Sequence, residues 1–127
     1  MKNILVVEDS KAIRSMIRMS LEETGGYFVV EAGNGFEALK TLPTRRFDLV
    51  ITDINMPDIN GLELIGFVKS NPAYRDIPLM IVSTEKTEED QKRGMALGAA
   101  AYVVKPFGKA QLMEAVGKAL GSGAQGA

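Results

Sequence analysis

Asn3-Ile4-Leu5-Val6-Val7-Glu8-Asp9 and Phe47-Asp48-Leu49-Val50-Ile51-Thr52-Asp53 decide the fold. Each is a short apolar run that ends on carboxylates. The apolar residues are continuous rather than alternating, the mark of a parallel strand covered on both faces by helices. Similar runs place strands at 3–8, 27–31, 48–53, 79–83 and 101–104. Ser83-Thr84 closes the fourth and Lys105 follows the fifth.

Helical periods fill the gaps. Ile13, Met16, Ile17 and Leu21 form one stripe, with Ser10 as N-cap and Gly25-Gly26 as the stop. Phe36 and Leu39 mark a short second helix that must end before Pro43. Leu62, Ile65 and Val68 mark a third, closed by Asn71-Pro72. Thr87 caps the fourth, whose first turn holds Glu88, Glu89 and Asp90. Its apolar face is thin, essentially Met95 and Leu97, and Gly94 in its interior lowers its expected stability. Leu112, Val116 and Leu120, with Met113, mark the fifth. Strict βα alternation predicts an α/β fold, a doubly wound sheet of five parallel strands with right-handed crossovers.

Composition narrows the chemistry. A chain of 127 residues suits one domain with one core. The net charge of −1 gives no basic footprint for nucleic acid or an anionic membrane. Cysteine and histidine are both absent, so thiolates, disulfides and imidazole play no part within the chain. No apolar run nears the roughly 18 residues of a membrane span, and the start lacks a signal-peptide pattern. A cytoplasmic protein is expected. The Gly/Ser/Ala segment 121–127 is expected to be a flexible tail.

Open α/β sheets build their sites at strand C-termini, beside the switch in strand order. For strand order 2-1-3-4-5, Asp53 falls beside Glu8-Asp9. Three converging acids repel one another without a cation, and a site with so few protein oxygens suits magnesium better than calcium. Taken alone, Glu8-Asp9 serves equally as a pair of solvated loop acids. Asn55 can offer its backbone carbonyl to a metal, Pro57 and Gly61 punctuate the loop beyond it, and Ser83 and Lys105 can bind phosphoryl oxygens.

Glu8-Asp9, Asp53-Ile54-Asn55-Met56-Pro57, Ser83-Thr84-Glu85 and Tyr102-Val103-Val104-Lys105-Pro106-Phe107 together resemble the receiver domain of two-component response regulators. They are similar above all to its stand-alone chemotaxis, CheY-like form. The resemblance covers residues 3–120, which sets a receiver domain at 1–120 with a flavodoxin-like (βα)5 sheet. It implies Asp53 as phosphoacceptor for a separate histidine kinase, with Mg2+ held by Asp9, Asp53 and the Asn55 carbonyl and by Glu8 through water. Ser83 and Lys105 would bind the phosphoryl group, and Asn55 and Glu85 would tune its hydrolysis. Tyr102 would be the switch aromatic, and Lys105-Pro106 a cis peptide. Helix 4, strand 5 and helix 5 would meet a downstream protein, the chain acting as a monomer rather than a turnover enzyme. Ser83 and Glu8 stand where the family often has Thr and Asp, with the functional group kept in both cases.

Other readings are weaker. A magnesium phosphatase using Asp53 would usually carry a second Asp two residues on, where this chain has Asn55. A flavin carrier needs a phosphate loop after the first strand, where Glu8-Asp9 repels anions. An intermediate in a phosphorelay uses the same residues and differs only in its target.

Overall fold

The structure is a computed structural model that describes residues 1–56, 58–84 and 87–125. Pro57 and Glu85 lie outside the described residues. The order is β1 (Lys2–Val7), α1 (Lys11–Thr24), β2 (Tyr27–Ala32), α2 (Gly35–Thr41), a 3-10 turn (Leu42–Thr44), β3 (Leu49–Asp53), α3 (Gly61–Ser70), β4 (Leu79–Ser83), α4 (Glu88–Ala96), β5 (Ala101–Val104) and α5 (Lys109–Gln125). The five strands are parallel and run β2-β1-β3-β4-β5 across the sheet, as expected.

The continuous apolar runs follow from this layering. Successive side chains of a strand point to opposite faces. Leu5 and Val7 therefore pack with Ala38, Leu64, Ile65 and Val68 of α2 and α3. Ile4 and Val6 pack with Ile17 and Leu21 of α1 and Leu112 and Val116 of α5. All four β1 residues are fully buried, each worth roughly 1.5–3 kcal/mol of burial. No helix among the described residues is long and apolar enough to cross a membrane.

Local signals set the helix ends. Ser10 accepts a hydrogen bond from the Ile13 N–H, and Asn60 forms a reciprocal capping box with Glu63. Thr87 accepts from the Asp90 N–H at the start of α4. Gly25 stops α1 at φ 83°, a conformation that glycine adopts without strain. α2 ends at Thr41, and Pro43 sits in the 3-10 turn that follows. α5 runs on to Gln125, into the segment expected as a tail.

Two expectations need correction. Phe36 does not serve the core: it is exposed, and Ala38 and Leu42 take its place. α4 has no apolar face turned inward, since Met95 is 41% exposed and Leu97, just beyond the helix, is 40% exposed. Gly94 is the buried residue of α4 among the described residues. A Cβ there would lie 2.6 Å from Ile81 Cδ1 and 3.2 Å from the Tyr102 ring. Gly94 is therefore more than a flexible point: it lets the backbone of α4 rest directly on the sheet. A helix held this way buries little side-chain surface, so α4 remains an element of low local stability.

Candidate functional site

Register brings the polar strand ends level. Val7 of β1 is opposite Thr52 of β3, so Glu8 and Asp53, each one residue further on, emerge side by side. Asp53 is opposite Val82, and Ser83 is opposite Val104, which places Lys105 one step beyond Ser83. Carboxylate oxygens of Glu8, Asp9 and Asp53 lie within 4.8 Å of one another. Glu8 and Asp53 are buried, at 1% and 4% exposure, whereas Asp9 faces solvent.

Lys105 joins the buried pair. Its Nζ donates to Glu8 Oε2 at 2.8 Å and to Asp53 Oδ2 at 3.1 Å. The other carboxylate oxygens accept backbone N–H groups, Glu8 Oε1 from Ser10 at 3.1 Å and Asp53 Oδ1 from Asn55 at 3.2 Å. Burial, the strongest influence, pushes the Glu8 pKa above the ordinary carboxylate value, and the Asp53 charge pushes the same way. Lys105 and the Ser10 N–H offset part of this. Burial alone would lower the Lys105 pKa, but its hydrogen bonds to Glu8 and Asp53 outweigh burial and hold it above the usual lysine value. Lys105 thus remains a cation at neutral pH.

Two carboxylates whose oxygens lie within 4.8 Å of one another repel by at least roughly 3 kcal/mol at an effective dielectric of about 20. One ammonium offsets only one of the two buried carboxylates, and with solvent-facing Asp9 the cluster keeps a formal excess of two negative charges, which leaves room for a further cation. The donor set is all oxygen with no sulfur or imidazole, which suits Mg2+.

Ser83 is fully buried at the end of β4, and its carbonyl accepts from the Lys105 N–H at 2.7 Å. Asn55 is exposed beside Asp53. Tyr102 is half-buried at the margin of the core that holds Ile81 and Ala99. The Lys105-Pro106 peptide is cis, as expected.

Gly61 is more than loop punctuation. A Cβ at this position would stand 2.1 Å from the Asp53 carbonyl oxygen and 2.8 Å from the carbonyl carbon. Its N–H closes the loop onto the Ile54 carbonyl at 2.9 Å. Both contacts are with backbone, which cannot step aside as a side-chain tip can. Gly61→Ala is expected to destabilise the fold by about 3 kcal/mol. Urea unfolding measures this, and an unchanged midpoint would contradict it.

Arg14 was not apparent in the sequence as part of this region. It stands on α1, largely buried, and its Nη1 donates to the Glu8 carbonyl oxygen at 2.7 Å. An arginine among the apolar residues of α1 was the available signal, but helical spacing does not reveal a contact with a strand end.

The fold and the polar strand ends together define a receiver-domain architecture. The chain belongs to the response regulator receiver domain family, which matches residues 4–117. Within it, the chain is similar to the chemotaxis protein CheY homolog of Campylobacter jejuni (serotype O:2), at 38% identity over 94% of this chain and 93% of that protein. The structure of CheY4 from Vibrio cholerae, a chemotaxis response regulator, superposes with a TM-score of 0.87 at 35% identity, covering 94% of this chain and 98% of that one. A CheY-like receiver domain protein from Methanospirillum hungatei gives a TM-score of 0.88 at 28% identity, covering 100% and 99%. Receivers of this kind are signalling proteins rather than turnover enzymes.

Proposed function

We propose that this chain is a phosphorylation-driven switch in which Asp53 accepts a phosphoryl group from a histidine of a separate kinase. The observation that carries this reading is the bridge from Lys105 to both Glu8 and Asp53, with the Asp9 carboxylate within reach. A nucleophilic carboxylate sits beside a fixed cation and near a place for another. Phosphoryl transfer depends on such positioning and charge neutralisation more than on covalent help from the protein.

Asp9, Asp53 and the Asn55 carbonyl would hold Mg2+, with Glu8 acting through water. Bound there, the ion would neutralise charge on the transferring phosphoryl oxygens. A carboxylate oxygen of Asp53 forms the new bond to phosphorus as the phosphorus–nitrogen bond of the donor breaks, and the electron pair leaves with the imidazole. Lys105 binds one phosphoryl oxygen and Ser83 another. Attack of water on phosphorus later returns the Asp53 carboxylate and releases inorganic phosphate, with Asn55 and Glu85 tuning its approach. Acetyl phosphate with Mg2+ is expected to phosphorylate the protein, and chelation of the metal to reduce the rate at least tenfold. Equal labelling in the presence of a chelator would refute the metal's role.

The output surface in this reading is α4, β5 and α5, presented to a protein target in chemotaxis or another motility system. Support comes from the seat of α4 on Ile81 and Tyr102 through Gly94, which ties a weakly anchored helix to the strands next to Ser83. A ligand at the phosphoryl site shifts this equilibrium only through a difference in affinity between the two states. Beryllofluoride, a phosphoryl mimic, is expected to change amide hydrogen exchange in α4 and β5. Identical exchange with and without the mimic would remove this part of the proposal.

A further inference from the structure

Behind the acidic cluster, on the side facing α1 and β2, lies a charge network that touches none of the reacting groups directly. Arg14 is at its centre. Its Nη1 donates to the Glu8 carbonyl oxygen at 2.7 Å, and its Nε donates to Glu31 Oε1 on β2 at 2.8 Å. The Arg14 and Glu31 side chains are only 17% and 23% exposed. Glu31 also accepts from Arg18 at 2.7 Å, and Arg18 is the outer, half-exposed member of the set. The hydrogen bond from Arg18 is the main reason the Glu31 pKa lies below the ordinary carboxylate value; burial opposes it and Arg14 reinforces it. Glu31 is therefore a fixed anion at neutral pH.

The geometry points to Arg14 as a positioning residue for the metal-binding acids: it clamps the Glu8 carbonyl, and with it the β1–α1 turn that carries Glu8 and Asp9, to β2. This inference rests on the magnesium site proposed above and extends it to a residue that meets neither metal nor phosphoryl group. The Glu8 main chain is held from two sides, by its N–H donating to the Ala32 carbonyl at 3.1 Å and by its carbonyl accepting from Arg14. The first contact belongs to the register of β1 with β2. The second is supplied by a side chain and can be removed separately. Without it, the Glu8 carbonyl loses its side-chain anchor. The Ser10 N–H still donates to Glu8 Oε1, but the peptide between Glu8 and Asp9 gains freedom to rotate and to carry the Asp9 carboxylate away from the other two. Groups that orient metal ligands commonly account for 10- to 100-fold in metal affinity.

The fork geometry matters as much as the charge. Arginine reaches two acceptors in fixed relative directions through one planar group, whereas lysine presents a compact point charge. Arg14→Lys keeps the charge and is expected to lose the clamp.

The test is Mg2+ titration of the intact protein, followed by calorimetry or by the shift in thermal midpoint with metal, so that no phosphoryl chemistry is involved. Arg14→Gln and Arg14→Lys are each expected to weaken Mg2+ about tenfold and to speed amide exchange in the β1–α1 turn of the metal-free protein. Arg18→Gln is the control. It breaks the outer contact to Glu31 and leaves the Glu8 carbonyl clamped, so it is expected to lower stability slightly with Mg2+ affinity unchanged. Folded Arg14 variants that bind Mg2+ like wild type would overturn the inference. So would an equal loss of affinity in Arg18→Gln, because the effect would then follow stability alone. Failure of the wild-type protein to bind Mg2+ at all would instead refute the site on which the inference rests.

Discussion

Asp53→Asn is expected to abolish phosphoryl uptake from acetyl phosphate while leaving the fold intact. An amide nearly matches the carboxylate in shape, and its oxygen can still accept a hydrogen bond at the end of β3. It is not a nucleophile toward phosphorus, and no histidine or cysteine elsewhere in the chain can substitute. The change also removes the Asp53 charge, which adds to burial in raising the Glu8 pKa, so Lys105 then faces a single buried carboxylate. The metal-free protein should accordingly be at least as stable as wild type. Labelling and urea unfolding measured together check both halves. Undiminished labelling would place the nucleophile elsewhere.

Lys105→Met has the opposite signature. It removes the ammonium that contacts both buried carboxylates and, among the described residues, leaves Glu8 and Asp53 close together with no cation between them. Removing one partner from a buried ionic cluster typically costs 3–5 kcal/mol, and the low exposure of Lys105, 10%, leaves little solvent screening to soften the loss. The metal-free variant is therefore expected to be about 3 kcal/mol less stable than wild type. Mg2+ should recover much of that difference, because a divalent ion can take over the neutralising role of the ammonium. Stabilisation by metal should be larger in the variant than in wild type. Phosphoryl uptake is expected to fall about a hundredfold even with saturating Mg2+, the usual loss when a charged stabiliser of the transition state is removed. Urea unfolding with and without Mg2+, together with labelling rates, tests both points. Equal stability and equal rates would show that Lys105 is only a bystander.

Much of this arrangement was legible in the sequence because strand burial and strand ends are written in local residue types. Ile4-Leu5-Val6-Val7 has to be covered on both faces, and the sheet order then brings Asp53 beside Glu8. Caps such as Ser10 and Thr87 were equally readable, since their hydrogen bonds span three residues. Contacts across the fold were not. Gly61 reads as an ordinary turn glycine until the Asp53 carbonyl is seen against it. Gly94 reads as a weak point until Ile81 and Tyr102 are found beneath it. Arg14 reads as one more polar residue of α1 until its guanidinium is traced to the end of β1. In all three cases the decisive partner lies on another element, where residue spacing carries no information. Phe36 misled for a related reason: an apolar residue at helical spacing need not face the core when Ala38 and Leu42 already fill it.

Asp53 is expected to become an acyl phosphate. The most direct measurement incubates the protein with acetyl phosphate and Mg2+, reduces the product with borohydride and locates the modified residue by peptide mass spectrometry. The reducing agent converts an acyl phosphate to an alcohol and leaves free carboxylates unchanged. A single modification at position 53, absent when the metal is chelated, is the predicted result. Modification at Glu8 or Asp9 instead, or none at all, would rule out Asp53 as the phosphoacceptor.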